Sequence, residues 1–285
     1  MTTPFQRVTI VGPGLLGASL GLALKARGLA AHVVGAGRRM SSLETALARG
    51  AIDESSLEVA PAVQGADLVV LCTPAARIVP LLDVVRLHCA PGAVITDVAS
   101  TKAALCARAR ATWPAPRRFV GSHPMAGSEQ FGPEHARADF YEGSVCLVET
   151  GDDLDPDARA AVLGLWRAVG ARVVDIDPED HDRILARTSH VPHVVASELA
   201  RMALRHGAVR DLIGNGFRDA TRIAESRPEI WTEICLMNRA AILDALAEYE
   251  RDLDVFRAAL AEEEQGAVER FFEEGRQARL GIMES

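Results

Sequence analysis

The chain has 285 residues, of which 48% are hydrophobic and 25% charged, and its net charge is -8. That length buries a sizeable core and leaves room for two domains, with the balance of a soluble globular protein. The acidic total argues against a general nucleic-acid binder, which is usually basic, and no apolar run reaches the roughly 18 residues of a membrane helix.

The first half alternates strand and helix patterns. Val8–Val11 reads as a short apolar strand, and residues 15–27 as a helix ended by Gly28. His32–Val34 is a second strand, followed by a helix over 42–49 stopped by Gly50. Asp67–Cys72 is a buried strand broken by Thr73-Pro74, and Ala93–Val98 is the next. Phe119–Val120, Ser144–Val148 and Arg172–Ile176 complete the set. Strands alternating with helices imply an α/β fold with a doubly wound, mostly parallel sheet. At Asp177-Pro178 the pattern changes: Asp suits an N-cap and Pro the first turn, and only helices follow. The spacing predicts two domains, 1–177 and 178–285. In the second, Ile242, Leu246, Tyr249, Leu253, Phe256 and Leu260 form one apolar stripe. That stripe packs either on the chain's own helices or on a second subunit, and a homodimer is expected.

Five scattered cysteines (Cys72, Cys89, Cys106, Cys146, Cys235) form no C-x-x-C pair, and their odd number argues against a disulfide framework. Reduced thiols, and an N-terminal Met1–Arg7 without a signal-like apolar stretch, lead to the expectation of a cytoplasmic protein.

Gly12-Pro13-Gly14-Leu15-Leu16-Gly17 is a G-x-G-x-x-G turn that directly follows a strand and opens a helix. Gly12 permits the tight turn, Gly14 close approach of a pyrophosphate, and Gly17 close helix–strand packing. The helix N-terminus, with the amides of Leu15 and Leu16, offers free N–H groups to phosphate. The strand end after His32–Val34 is Gly35-Ala36-Gly37-Arg38-Arg39, with no acid to accept hydrogen bonds from the ribose. Arg38 and Arg39 suit a 2′-phosphate instead, so NADP is expected to be preferred over NAD.

Four polar segments remain. In Thr96–Lys102, at a strand's carboxyl end, Ser100 either faces the cleft or caps the following helix. In Gly121–Gly127, extended by Ser128-Glu129, His123 stands between glycines, poorly placed for a core and well placed to accept a proton. The others are Thr188–His193, with His190 and His193, and Gly214–Arg222. The two histidines lack the companions a zinc site needs, and there is no G-x-S-x-G elbow for a serine hydrolase.

Together these segments closely resemble the prephenate/arogenate dehydrogenase family, in order and over almost the whole chain. The resemblance implies a Rossmann-type domain followed by an all-helical dimerisation domain, and leaves no residues for the mutase or ACT domain that some members carry. It implies oxidative decarboxylation of prephenate or arogenate in tyrosine biosynthesis, with hydride transfer to NADP or NAD. By position, His123 resembles the acceptor for the substrate's 4-hydroxyl and Ser100 the hydroxyl that orients it. Arg222 resembles the arginine that holds the substrate carboxylate, His193 and His190 nearby helical-domain residues, and Glu129 a cleft-gating acid. The cofactor set is Gly12, Gly14, Leu15, Leu16, Gly17, Gly37, Arg38, Arg39, Thr73 and Pro74. The rivals are another two-domain Rossmann dehydrogenase, disfavoured because residues 178–285 contain no lysine, and a non-catalytic NADP-binding sensor.

Overall fold

The computed structural model describes residues 5–128, 130–205 and 212–284. Six strands form a parallel sheet: β1 (Phe5–Val11), β2 (Ala30–Ala36), β3 (Glu54–Ser56), β4 (Leu68–Leu71), β5 (Val94–Asp97) and β6 (Phe119–Val120). Their order is β3-β2-β1-β4-β5-β6. The connecting helices are α1 (Leu15–Ala26), α2 (Met40–Ala48), α3 (Val59–Ala62), α4 (Ala75–His88) and α5 (Ala103–Thr112). Alternate strand residues feed two cores. Val8, Ile10, Val33 and Val70 join Leu20, Leu24 and Trp166 on one face. Val11, Val34, Val69 and Ile95 join Ile78, Leu82 and Phe119 on the other. A sheet buried on both faces needs these near-continuous apolar strands. The strand order reverses its direction of winding between the parallel neighbours β1 and β4, and their carboxyl ends form the crevice where such sheets bind ligands.

The last strands depart from the single sheet expected from sequence. β7 (Ser122–Pro124), β8 (Val145–Glu149) and β9 (Arg172–Ile176) make a second sheet, with β7 antiparallel to β8 and β8 parallel to β9. The break is at Gly121. Its N–H donates to Glu149 Oε2 at 2.9 Å, and its carbonyl accepts from the Glu149 N–H at 2.9 Å. A Cβ at Gly121 would lie 2.7 Å from Cys106 Sγ, so only glycine passes here. Strand β3, mostly polar, was not expected; it pairs with β2 at the sheet edge.

Helix α6 (Pro156–Ala168) precedes β9, and α7 (Pro178–Leu185) follows it with Asp177 as N-cap. Next come α8 (Val191–Arg205), α9 (Asn215–Thr221), α10 (Pro228–Met237), α11 (Arg239–Ala261) and α12 (Gln265–Glu284). Residues up to Arg239 form one compact unit and those from Ala240 a second. The first unit runs past the end of the strands because α7 packs on α5, and α10 on α4. In the second unit the expected stripe is divided. Phe256 turns to α12, 4.6 Å from the Phe271 ring, while Tyr249, Leu253 and Leu260 are exposed. Among the described residues no helix is long and apolar enough to cross a membrane.

Arg117 is fully buried beneath the sheet break. It reaches Glu149 at 2.7 and 3.1 Å and Asp153 at 2.9 Å, and donates to the Phe119 carbonyl at 2.8 Å. Removing one partner of a buried pair strands the other charge. Glu149→Ala is therefore expected to lower the unfolding free energy by about 3 kcal/mol. A joint Arg117→Met, Glu149→Leu replacement should recover most of it. Urea denaturation of the three proteins checks both statements.

Candidate active site

The glycine turn lies where the sequence reading put it. Gly12 has φ +90°, and a Cβ there would meet Thr73 Cγ2 at 2.8 Å and the Cys72 carbonyl oxygen at 2.9 Å. At Gly17 a Cβ would lie 2.6 Å from the Gly12 carbonyl oxygen. Gly14 is different: a Cβ would meet nothing within 4 Å, and no side chain caps α1 behind it. Protein packing explains Gly12 and Gly17. The open space at Gly14, over the free amides of Leu15, Leu16 and Gly17, suits the backbone approach of a pyrophosphate. Thr73 stands beside this turn with its Oγ1 buried and unpartnered, and Pro74 begins α4. These features fit a dinucleotide. At the end of β2, the Gly37 N–H donates to the Ser56 carbonyl at 3.0 Å, and Arg38 and Arg39 are exposed at the start of α2.

The loop after β5 is closed by a buried ion pair between Asp97 and Lys102. Asp97 also accepts from the Ala99 N–H at 2.8 Å and the Ser122 N–H at 3.0 Å. Burial pushes its carboxyl up, against the pull of Lys102 and of these donors. Ser100 lies half-buried in this loop, and the neighbouring Thr101 Oγ1 is buried without a partner. Ser100 does not cap the following helix. That role falls to Asp182 of α7, which accepts from the N–H groups of Lys102 at 2.7 Å and Ala103 at 3.0 Å.

His123 sits on β7 opposite Leu147 and is buried, with 8% of its surface exposed. Its Nδ1 lies 2.9 Å from Nε2 of His181, and His181 Nδ1 lies 2.8 Å from Asp182 Oδ1. Among the described residues nothing bonds its Nε2. Burial holds the His123 pKa well below the ordinary value, helped by the charges of His181, Lys102 and His190. His181 is also lowered by burial, with Asp182 acting the other way. Both rings are neutral at pH 7.

His190 ends a break in the helix, and His193 lies in the first turn after it. Residues Ala186–His190 form a π turn between α7 and α8. Pro192 explains it, because a proline has no N–H for the Thr188 carbonyl and its ring crowds that oxygen. His190 is buried, its Nδ1 3.1 Å from Asn238 Nδ2, and burial lowers its pKa to about 4. The Asn238 amide also donates to the Asp182 carbonyl at 2.7 Å. His193 stacks on Trp231 with ring centres 3.5 Å apart, its Nδ1 2.9 Å from the Ser189 carbonyl oxygen. Arg222 is exposed on the 3-10 turn Arg222–Glu225, which packs on α8, the helix of His193. Glu129 lies outside the described residues.

The structure thus joins His123 to His181, Asp182 and, through Asp182, to the loop of Ser100. It places Thr73 against Gly12, and puts Arg222 and His193 on packed elements. Sequence reasoning passed over His181, Asp182, Trp231 and Asn238. A signal for the first two existed: Pro178, His181, Asp182 and Leu185 are the buried residues of α7, so two polar residues hold core positions of that helix.

The family model of the prephenate dehydrogenase nucleotide-binding domain matches residues 20–175, and that of the prephenate dehydrogenase dimerization domain matches residues 177–274. The chain is 31% identical over 280 residues to prephenate dehydrogenase of Bacillus subtilis, covering 96% of this chain and 76% of that protein. It is 31% identical over 290 residues to cyclohexadienyl dehydrogenase of Zymomonas mobilis, covering 98% and 97%. Among solved structures, prephenate dehydrogenase of Aquifex aeolicus in complex with hydroxyphenyl propionate and NAD+ superposes with a TM-score of 0.90 at 28% identity, covering 97% of this chain and 98% of the other. Synechocystis arogenate dehydrogenase superposes at 0.83 with 29% identity, covering 96% and 99%. With a dinucleotide turn, a buried neutral histidine on the adjoining sheet, and family models matching both parts, the chain belongs to the prephenate dehydrogenase family.

Proposed function

We propose that this chain oxidatively decarboxylates prephenate, arogenate or both, in tyrosine biosynthesis, using a nicotinamide dinucleotide. The observation that carries the reading is His123, a buried neutral imidazole whose Nε2 has no partner among the described residues. A base of depressed pKa is suited to take the proton of the substrate's 4-hydroxyl as C4 becomes a carbonyl carbon. Ser100 orients that contact, and Arg222 holds a substrate carboxylate with its planar fork. His190 and His193 border the same substrate from the helical part. A dinucleotide held on the turn of Gly12, Gly14 and Gly17 would supply the acceptor for the hydride of C4. Loss of the ring carboxylate as CO2 leaves an aromatic ring, which drives the reaction.

His123→Asn is expected to lower kcat by 10²-fold or more, the order of a general-base contribution, while the dinucleotide Kd stays within about twofold. Arg222→Ala should act mainly on the substrate KM. The sign of the pH dependence follows from burial. A base held well below the ordinary imidazole value of 6.5 is still largely unprotonated at that pH, so kcat/KM should hold level from pH 7.5 to 6.5 and fall only in more acid solution. Steady-state kinetics at both substrates check these outcomes. A pH profile that falls already above pH 7 defeats the assignment of His123.

For the cofactor we infer a preference for NADP. Gly37-Arg38-Arg39 offers two exposed guanidinium groups and no carboxylate where the adenosine ribose is read. The NAD+ complex of the Aquifex aeolicus relative favours the alternative. Kinetics with both dinucleotides should give the higher kcat/KM with NADP. Arg38→Ala with Arg39→Ala should raise the KM for NADP about tenfold or more and leave that for NAD within twofold.

We further infer a cytoplasmic homodimer joined through residues 178–285. The five free cysteines support the compartment. Exposed Leu253, Leu260 and Phe272 on α11 and α12 support the interface. Light scattering should read twice the chain's 30.5 kDa, and Leu253→Glu should shift it toward the single-chain mass.

A further inference from the structure

His181 and Asp182 carry no role in the reading above, yet they are buried and one of them touches the proposed base. The geometry points to Asp182 and His181 as positioning residues that hold His123 in the tautomer able to receive a proton. This rests on the reading of His123 as the acceptor for the substrate hydroxyl.

The hydrogens can be assigned from the ends inward. An ionised carboxylate only accepts, so across 2.8 Å His181 Nδ1 carries the hydrogen toward Asp182 Oδ1. A neutral His181 then has its lone pair on Nε2. That nitrogen is 2.9 Å from His123 Nδ1, which must therefore donate. The remaining lone pair of the chain of three is His123 Nε2. The opposite assignment sets the His181 lone pair against the carboxylate and puts a hydrogen on His123 Nε2, where no proton can be received. Asp182 itself is pinned. Oδ1 also accepts from the Lys102 N–H at 2.7 Å, Oδ2 accepts from the Ala103 N–H at 3.0 Å, and its backbone carbonyl accepts from Asn238.

The same chain meets the charge that the reaction creates. The substrate O–H bond breaks, an N–H bond forms at His123 Nε2, and His123 becomes an imidazolium. Its Nδ1 hydrogen stays bonded to His181 or shifts to His181 Nε2, and no other bond within the three residues changes; on the substrate, the electron pair of the O–H bond becomes the C4 carbonyl as the hydride leaves. Around it stand the Lys102 ammonium from the loop before α5, His190 from the π turn and Cys146 on β8. None of these supplies negative charge. Asp97 is committed to Lys102, so Asp182, one ring away, is the carboxylate that offsets the imidazolium.

Asp182→Asn keeps an oxygen for the α5 amides but offers His181 an amide that can equally donate. Its kcat is expected to fall on the order of 10³-fold, the scale known for loss of a tautomer-setting carboxylate, with substrate KM and dinucleotide Kd within about threefold. His181→Gln returns an acceptor to His123 Nδ1 and should retain at least tenfold more activity than His181→Phe. Histidine-selective 15N NMR of the wild-type protein without substrate should show His123 protonated at Nδ1 and bare at Nε2. A proton on Nε2 overturns the inference whether or not the enzyme turns over. So does a folded Asp182→Asn enzyme with kcat within threefold of wild type, or equal activity in the two His181 variants. If the wild type oxidises neither prephenate nor arogenate while the NMR shows the Nδ1 form, the proposed function falls and the tautomer assignment stands. Should Asp182→Asn fail to fold, the NMR spectrum and the His181 pair decide the matter.

Discussion

The buried carboxylate of Asp97 is the constraint on which the site depends. It ends β5, and its three bonds fix three things at once: the return of the loop at Ala99, the ammonium of Lys102, and the amide of Ser122. Ser122 is the residue before His123 and is gripped from other sides too. Its hydroxyl donates to the Asp97 carbonyl at 2.5 Å, lies 2.8 Å from Thr96 Oγ1, and accepts from Trp166 Nε1 at 3.0 Å. A carboxylate taken wholly out of water is costly unless its lone pairs are satisfied and a cation is at hand. Here both conditions hold. The gain is positional: β7 starts where the six-stranded sheet stops, and His123 cannot drift from it.

Burial then decides the protonation of the histidines. His123, His181 and His190 are all shifted down by desolvation, and the rings also disfavour charge in one another. A cluster of three imidazoles, a lysine and two aspartates could hold many charge states. The low dielectric removes most of them, because each extra cation near Lys102 is unfavourable. What is left is three neutral imidazoles with a carboxyl group on each side, Asp97 beside Lys102 and Asp182 beside His181. Such a set is prepared to take up a single proton.

How much of this could be read from sequence depends on how local each signal is. Gly12, Gly14 and Gly17 are legible because turn, packing and phosphate approach all act within six residues. His123 is legible as a reactive residue because glycines and a proline around an imidazole exclude a helix, but its burial is not: the flanking glycines make it look poorly placed for a core, and β7 packs it to 8% exposure. The strands of residues 145–149 and 172–176 are legible as strands, but not as members of a second sheet. Their assignment turns on the bond between Gly121 and Glu149, which is separated by 28 residues. Strand β3 is hidden by its polar residues, tolerated at a sheet edge. His181 and Asp182 are hidden in another way: they follow Glu179 and Asp180, first-turn acids that read as ordinary partners of the helix dipole, and only the burial of the next two residues shows that they point inward.

The helices after residue 178 also shape the dinucleotide crevice from outside it. Neither α4 nor α5 has a capping side chain of its own. Instead Glu233 of α10 accepts from the Ala76 N–H at 2.5 Å, and Asp182 of α7 accepts from Lys102 and Ala103. Those two helices begin where the loops after β4 and β5 end, with Thr73-Pro74 before one and Ser100 before the other. Each N-terminus carries a partial positive charge that a carboxylate stabilises. A loop closed by a distant carboxylate is ordered only while the element carrying that carboxylate is docked. Thr73 beside the glycine turn and Ser100 in the substrate loop therefore depend on α10 and α7 for their positions. The strand-bearing part of the chain supplies the residues of the crevice, and the helices that follow hold two of its loops in place.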